Sequence, residues 1–191
     1  MPVVVNSGTP VGSKDEWRTP PELFNLLDHE FHFDLDVAAT PQNAHCTDFY
    51  TEEDNALKQP WGYFGDYDNR KTAIFCNPPF SLTGKFLVKG RQEVAQNEII
   101  CVFLIRADAV ETKWWEDGVL HSSYWVDEAV LLIPSYQIRF LKPRINFLNP
   151  IGGTAKGVTF PSAVIVMSRY HFGVYWWNWK VAAKKLNLLE K

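Results

Sequence analysis

Apolar positions along the chain switch between helical and strand-like spacing. Leu23, Phe24, Leu26, Leu27 and Phe31 recur at the helical period, behind Thr19 as an N-cap, Pro20 at the first helical position and Glu22 three residues after the cap. Residues 33–39 (FDLDVAA) then read as a short buried strand ending in small side chains. Residues 57–72 are turn-rich and read as a loop, and 73–76 as a second short strand that runs directly into Asn77-Pro78-Pro79-Phe80. Residues 81–96 fit a helix with Phe86, Leu87 and Val94 inward, and 98–105 (EIICVFLI) form a continuous apolar run typical of a strand covered on both faces. Beyond these the pattern predicts a helix over 111–121, a buried strand over 129–133 and a hairpin over 138–148. It predicts a last buried strand over 162–167 and a helix over 175–189 with Trp176, Trp179 and Leu186 on one side. Strands alternating with helices predict a three-layer α/β fold with a mixed, mostly parallel sheet, and ligands in such folds sit beyond the carboxyl ends of the strands.

Composition adds boundaries. The 191 residues fit a single domain over 14–191 behind a loose Gly/Ser/Pro-flavoured stretch at 1–13. The formal net charge of −3 means that any nucleic-acid contact rests on a local basic patch. Three scattered cysteines, Cys46, Cys76 and Cys101, match neither a disulfide framework nor a zinc site, and the five histidines show no ligand spacing. A reducing cytoplasm is the expected compartment; the sequence shows no signal peptide, and no apolar run is long enough to cross a membrane. Aromatic residues make up 15% of the chain and include eight tryptophans, as core packing or as surfaces for stacking on bases.

The tetrapeptide Asn77-Pro78-Pro79-Phe80 carries the chemistry. An aromatic amine is a poor nucleophile because its lone pair is delocalised into the ring. A carboxamide oxygen and a backbone carbonyl can accept its two hydrogens and draw the nitrogen toward tetrahedral geometry. Asn77 supplies the first acceptor and the Pro78 carbonyl the second; the two prolines stiffen the turn, and Phe80 stacks on a base flipped out of its duplex. Position at a strand end in an α/β pattern sets the tetrapeptide apart from an ordinary Asn-Pro turn.

Asn-Pro-Pro-Phe is a variant of the motif of amino-methyltransferases that act on adenine or on a glutamine amide. Further segments narrow the resemblance. They are 15–20 (DEWRTP), 27–31 (LDHEF), 34–41 (DLDVAATP) with Asn43 and Cys46, Tyr50-Thr51 leading to Asp54-Asn55-Ala56-Leu57, and 159–162 (TFPS). Together, over roughly residues 13–168, the chain resembles the phage-type DNA N-6-adenine methyltransferase family. The resemblance implies a class I methyltransferase fold (Rossmann-like, α/β/α), S-adenosylmethionine as methyl donor, adenine N6 in double-stranded DNA as acceptor, and a phage or prophage origin. By position it places Thr19 and Pro20 at the methionine end of the cofactor, and Asp36, Ala38 and Thr40 in the loop after the first strand. It places Asp54 on the cofactor's adenine amine and Asn77, Pro78 and Phe80 on the target base. Trp17 joins the cofactor set as a ring that either stacks or packs.

A carboxylate among apolar neighbours, as at Asp36, is costly without a donor, so it calls for a cationic or hydrogen-bonding ligand or for capping. Ala38 and Ala39 stand where a usual nucleotide loop carries glycines, permitting close approach but not free use of positive φ. For the cofactor ribose, Asp48 and Glu52 are the acidic candidates. Arg139, Lys142 and Arg144, interleaved with Tyr136, Phe140 and Phe147, form the best basic stretch for DNA phosphates, or else an ordinary amphipathic hairpin. No metal is implied. Two other functions stay open from sequence: an amino-methyltransferase acting on RNA or a protein glutamine, and a catalytically silent DNA-binding module.

Overall fold

The computed structural model describes residues 17–62, 71–120, 135–149 and 160–189. The elements in chain order are α1 (Pro21–Phe31), β1 (Leu35–Asp36), β2 (Asp48–Phe49), β3 (Ala73–Cys76), α2 (Thr83–Asn97), β4 (Ile100–Arg106), α3 (Lys113–Trp115), β5 (Ser135–Lys142), β6 (Ser162–Ser168), β7 (Gly173–Asn178) and α4 (Trp179–Lys185). The strands form one sheet in the order β2-β1-β3-β4-β6-β5-β7. Four of its six pairings are parallel, and only β6, lying between β4 and β5, runs against its neighbours. The mixed, mostly parallel sheet expected from the sequence is therefore present.

Alternation along the central strands builds the three layers. Ile74, Cys76, Cys101, Phe103, Ile105, Ala163, Ile165 and Met167 pack with Phe86, Leu87 and Val94 of α2 and with Trp115 of α3. The residues between them, Ala73, Phe75, Val102, Leu104, Val164 and Val166, pack on the other face with α1 and with Trp179 and Ala183 of α4. A strand covered on both faces needs apolar side chains at every position, which explains the unbroken runs in β4 and β6.

Several boundaries differ from the sequence reading. The helix behind Thr19 starts at Pro21, with Pro20 in the cap position and its carbonyl accepting from the N–H groups of Leu23 and Phe24. Thr19 is not the cap and instead lies buried. The predicted helix over 111–121 is α3 followed by a wider turn over Glu116–Leu120. The hairpin expected over 138–148 does not form. β5 pairs with β6 and β7 instead, and the chain beyond it is pinned by mutual bonds between Arg18 and Leu148 (2.9 and 3.0 Å). The predicted helix over 175–189 divides into the edge strand β7 and the short α4. The strand expected over 129–133 lies outside the described residues.

Arg139 also departs from its expected place. It is 4% exposed, on the face of β5 that meets α1. Its guanidinium donates to both carboxylate oxygens of Glu30 (2.6 and 2.5 Å) and to Gln137 Oε1 at 2.6 Å, and it lies over the rings of Phe31 and Trp177. That side chain clamps β5 to α1 and is committed there, whereas Lys142 and Arg144 are both exposed. Reversing the charge, Arg139→Glu, buries a carboxylate beside Glu30 and is expected to cost about 3–5 kcal/mol of stability. Urea denaturation measures it; an unchanged midpoint would place Arg139 outside the core.

Candidate active site

Parallel pairing decides where the functional residues meet. Asp36 ends β1, Asn77 follows β3, and the two strands are paired in parallel register, Leu35 with Ile74 and Asp36 with Phe75. Both residues therefore reach the carboxyl edge of the sheet side by side. There they line a cavity of about 700 Å³ together with Trp17, Thr19, Ala38 and Thr40. Five of the seven residues that the resemblance assigns to the cofactor thus share one cavity with Asn77. Pro20 and Asp54 are outside its lining.

Asp36 is 3% exposed and makes no ion pair among the described residues, although Arg18 and Lys85 line the same cavity. Its carboxylate accepts from the backbone N–H groups of Ala38 (3.2 Å) and His45 (3.4 Å). Burial pushes the carboxyl from 3.8 up to about 6, against the opposing pull of those two bonds. The following loop closes without glycine. Ala39 donates to the Tyr50 carbonyl at 3.0 Å, and the Thr40 N–H is held by Asn43 Oδ1 at 2.6 Å. None of residues 37–46 has positive φ, so alanine serves where small size, not left-handed backbone, is required.

Asn77 is fixed from the opposite wall. Its Nδ2 donates to the Trp17 carbonyl at 2.7 Å. A carbonyl can only accept, so this bond orients the carboxamide with its oxygen as the group left to offer. Trp17 is itself placed by the neighbouring Arg18–Leu148 bridge. Pro79 also lines the cavity, Pro78 is buried behind it, and Phe80 lines an adjoining recess of about 540 Å³. Phe80 lies edge-to-face with Phe160 at 5.4 Å.

Asp54 does not face the cavity. Its Oδ2 accepts from the Thr51 N–H (2.8 Å) and the Thr51 hydroxyl (2.7 Å), and these bonds hold its carboxyl below the usual range. The turn it closes carries Glu52 and Asn55, which do line the cavity, and Asn55 has a φ of 54°. Of the two acidic ribose candidates, Glu52 is in the lining and Asp48 is not.

Sequence reasoning misses Asn43, His45 and Asn55 as parts of this cavity. The His45 ring stacks on Phe24 at 4.3 Å, and burial lowers its pKa despite a bond with the Thr19 backbone. Asn43 and Asn55 carry a visible signal, as turn-forming residues within segments that share the family pattern; His45 carries none.

Comparison with known proteins extends the picture. The family model of DNA N-6-adenine-methyltransferase (Dam) matches residues 6–176. The chain is 32% identical over 113 residues to a DNA N-6-adenine-methyltransferase of Escherichia phage T1, a match covering 59% of this chain and 44% of that protein. The chain thus spans less than half the length of this phage relative. It is 40% identical over 67 residues to the putative methyltransferase YfdM of Escherichia coli strain K12, covering 35% of this chain and 71% of that protein.

Asp36 yields a prediction with a definite sign. A carboxyl raised from 3.8 to about 6 in the folded protein favours folding below pH 4, and that contribution is lost as pH rises through 6. At neutral pH the buried charge costs about 3 kcal/mol, at about 1.4 kcal/mol per tenfold change in proton affinity. Asp36→Asn is therefore expected to raise the thermal midpoint of the ligand-free protein at pH 7.5 and to leave it nearly unchanged at pH 4. A lower midpoint at pH 7.5 would contradict the assignment of Asp36 as an unmatched charge.

Proposed function

The chain belongs to the DNA N-6-adenine-methyltransferase (Dam) family, and from that premise we propose that it moves a methyl group from S-adenosylmethionine to the N6 amine of adenine in double-stranded DNA. The observation that carries this reading is the joint lining of one cavity by a buried, unmatched carboxylate, Asp36, and by an amide oriented to accept, Asn77. S-adenosylmethionine carries a sulfonium and an ammonium, and a cavity of about 700 Å³ lies within the range of small-molecule sites, about 300–1,000 Å³. A desolvated carboxylate at its end suits a cationic ligand better than a neutral one.

The residues that would hold this ligand are Trp17, Thr19, Asp36, Ala38 and Thr40, with Glu52 for the ribose hydroxyls. Asp54 contributes through the turn that presents Glu52 and Asn55. Bound S-adenosylmethionine supplies an electrophilic methyl. Asn77 Oδ1 and the Pro78 carbonyl accept the two amine hydrogens of the target adenine and return its lone pair to the nitrogen. Phe80 offers a ring face for the flipped base. The methylated amine sheds its extra proton to solvent, and no nucleophile of the protein is consumed. Lys142 and Arg144 lie at and beyond the carboxyl end of β5, which runs parallel to β3 and β4, and so reach the same edge for phosphate contacts.

Incubating the protein with radiolabelled S-adenosylmethionine and mixed duplex DNA, then separating the nucleosides, tests the reading. Label is expected in N6-methyldeoxyadenosine, and Asn77→Ala is expected to lower transfer by about 10²–10³-fold, the effect of removing one preorganised hydrogen-bonding group, while calorimetric cofactor binding persists. Label confined to methylcytosine, to RNA or to a glutamine peptide would overturn the choice of adenine in DNA.

A further inference from the structure

Arg106, the last residue of β4, takes no part in the methyl transfer itself, yet it lies against the residue that receives the base. Its guanidinium carbon is 5.4 Å from the centre of the Phe80 ring and 4.6 Å from that of Phe160, over both rings. Those rings stand at 88° to each other, forming a floor and a wall. Arg106 is held in this notch by Asp108, which accepts from Nε at 2.9 Å and from a terminal nitrogen at 2.5 Å. The pair is partly exposed, with side-chain exposures of 39% and 30%, so it can exchange partners.

On the face of Phe80 that Arg106 covers, the guanidinium and a stacked base exclude each other. A base stacked on Phe80 needs about 3.5 Å of van der Waals separation on each of its faces. A guanidinium at 5.4 Å from the same ring leaves no such gap. A planar cation on an aromatic face is also the nearest protein equivalent of a stacked base. Phe160 precedes β6, whose first residue Ser162 pairs with Arg106, and Ala107 donates to the Pro161 carbonyl at 2.8 Å. The notch is thus framed by paired backbone and does not depend on the Arg106 side chain to exist.

We propose that Arg106 is a positioning residue for the acceptor nucleotide: it fills the stacking slot on Phe80 and Phe160 while DNA is absent, and it gives up Asp108 for a backbone phosphate of the extruded nucleotide when the base enters. The inference rests on the reading of the protein as a DNA adenine methyltransferase. The chemistry is an exchange of one bidentate oxyanion for another, for which the guanidinium fork is suited. The two partners then have opposite effects on DNA. Arg106 is required for the bound state, whereas Asp108 competes with the phosphate.

The test uses a duplex that the wild-type protein methylates, with the methylated adenine mapped. Absence of methylation by the wild type would refute the reading of function, and this result is distinguishable from every outcome for the Arg106 and Asp108 variants. Arg106→Ala is expected to raise the KM for DNA by about tenfold or more, the worth of a charge-assisted hydrogen bond, with a smaller change in kcat. It is also expected to reduce the salt slope of DNA binding by about one, and Arg106→Lys to restore that slope. Asp108→Asn is expected to lower the KM for DNA several-fold. A purely structural ion pair would give both variants the same sign, with a parallel fall in thermal midpoint. Same-sign effects, or an unchanged KM in Arg106→Ala, would overturn the proposal.

Discussion

The 2.7 Å hydrogen bond from Asn77 Nδ2 to the Trp17 carbonyl joins parts of the chain that are sixty residues apart and decides what the site can offer. Because a carbonyl has no hydrogen to give, the amide cannot turn over without losing this bond. The Trp17 strap cannot drift either, since Arg18 and Leu148 exchange two backbone bonds beside it. The acceptor oxygen of Asn77 is therefore set before any substrate arrives, which is the condition under which hydrogen-bonding groups contribute most to transition-state stabilisation.

The carboxyl edge of the sheet concentrates unfavourable groups that a ligand can satisfy. Asp36 is desolvated at the end of β1, and the neighbouring loop supplies only two backbone N–H groups to it. A cost of this kind is tolerated because the sheet behind it is covered on both faces by two apolar layers. The stability lost at one carboxylate would return as binding energy to a cation that replaces its missing water. Near the same edge, Arg106 lies over the rings of Phe80 and Phe160.

Much of this is legible in the sequence because the signals are local. The apolar run of β4, the motif after β3 and the helical stripe of α1 need no knowledge of the fold. Arg139 escapes a sequence reading because basic and aromatic residues alternating along β5 look the same whether the cation faces DNA or Glu30; only the packing of β5 against α1 distinguishes them. β7 resembles a helix in sequence because Tyr175, Trp176 and Trp177 are apolar in succession, and as an edge strand it leaves Trp176 72% exposed, with no alternation to reveal its period. Asp54 shapes the turn rather than facing the ligand, and Glu52, two residues away, lines the cavity. Such a distinction depends on which way a turn points, and charge patterning carries no information about it.

The central claim is that Asn77 presents its oxygen, with the nitrogen held by Trp17, to the amine of a flipped adenine. A crystal structure of the protein with a non-reactive S-adenosylmethionine analogue and a methylatable duplex tests it most directly. The account predicts the adenine N6 within hydrogen-bonding distance of Asn77 Oδ1 and of the Pro78 carbonyl, with Nδ2 still on Trp17. An adenine that remains stacked in the duplex, or one that meets Nδ2 instead of Oδ1, would contradict it.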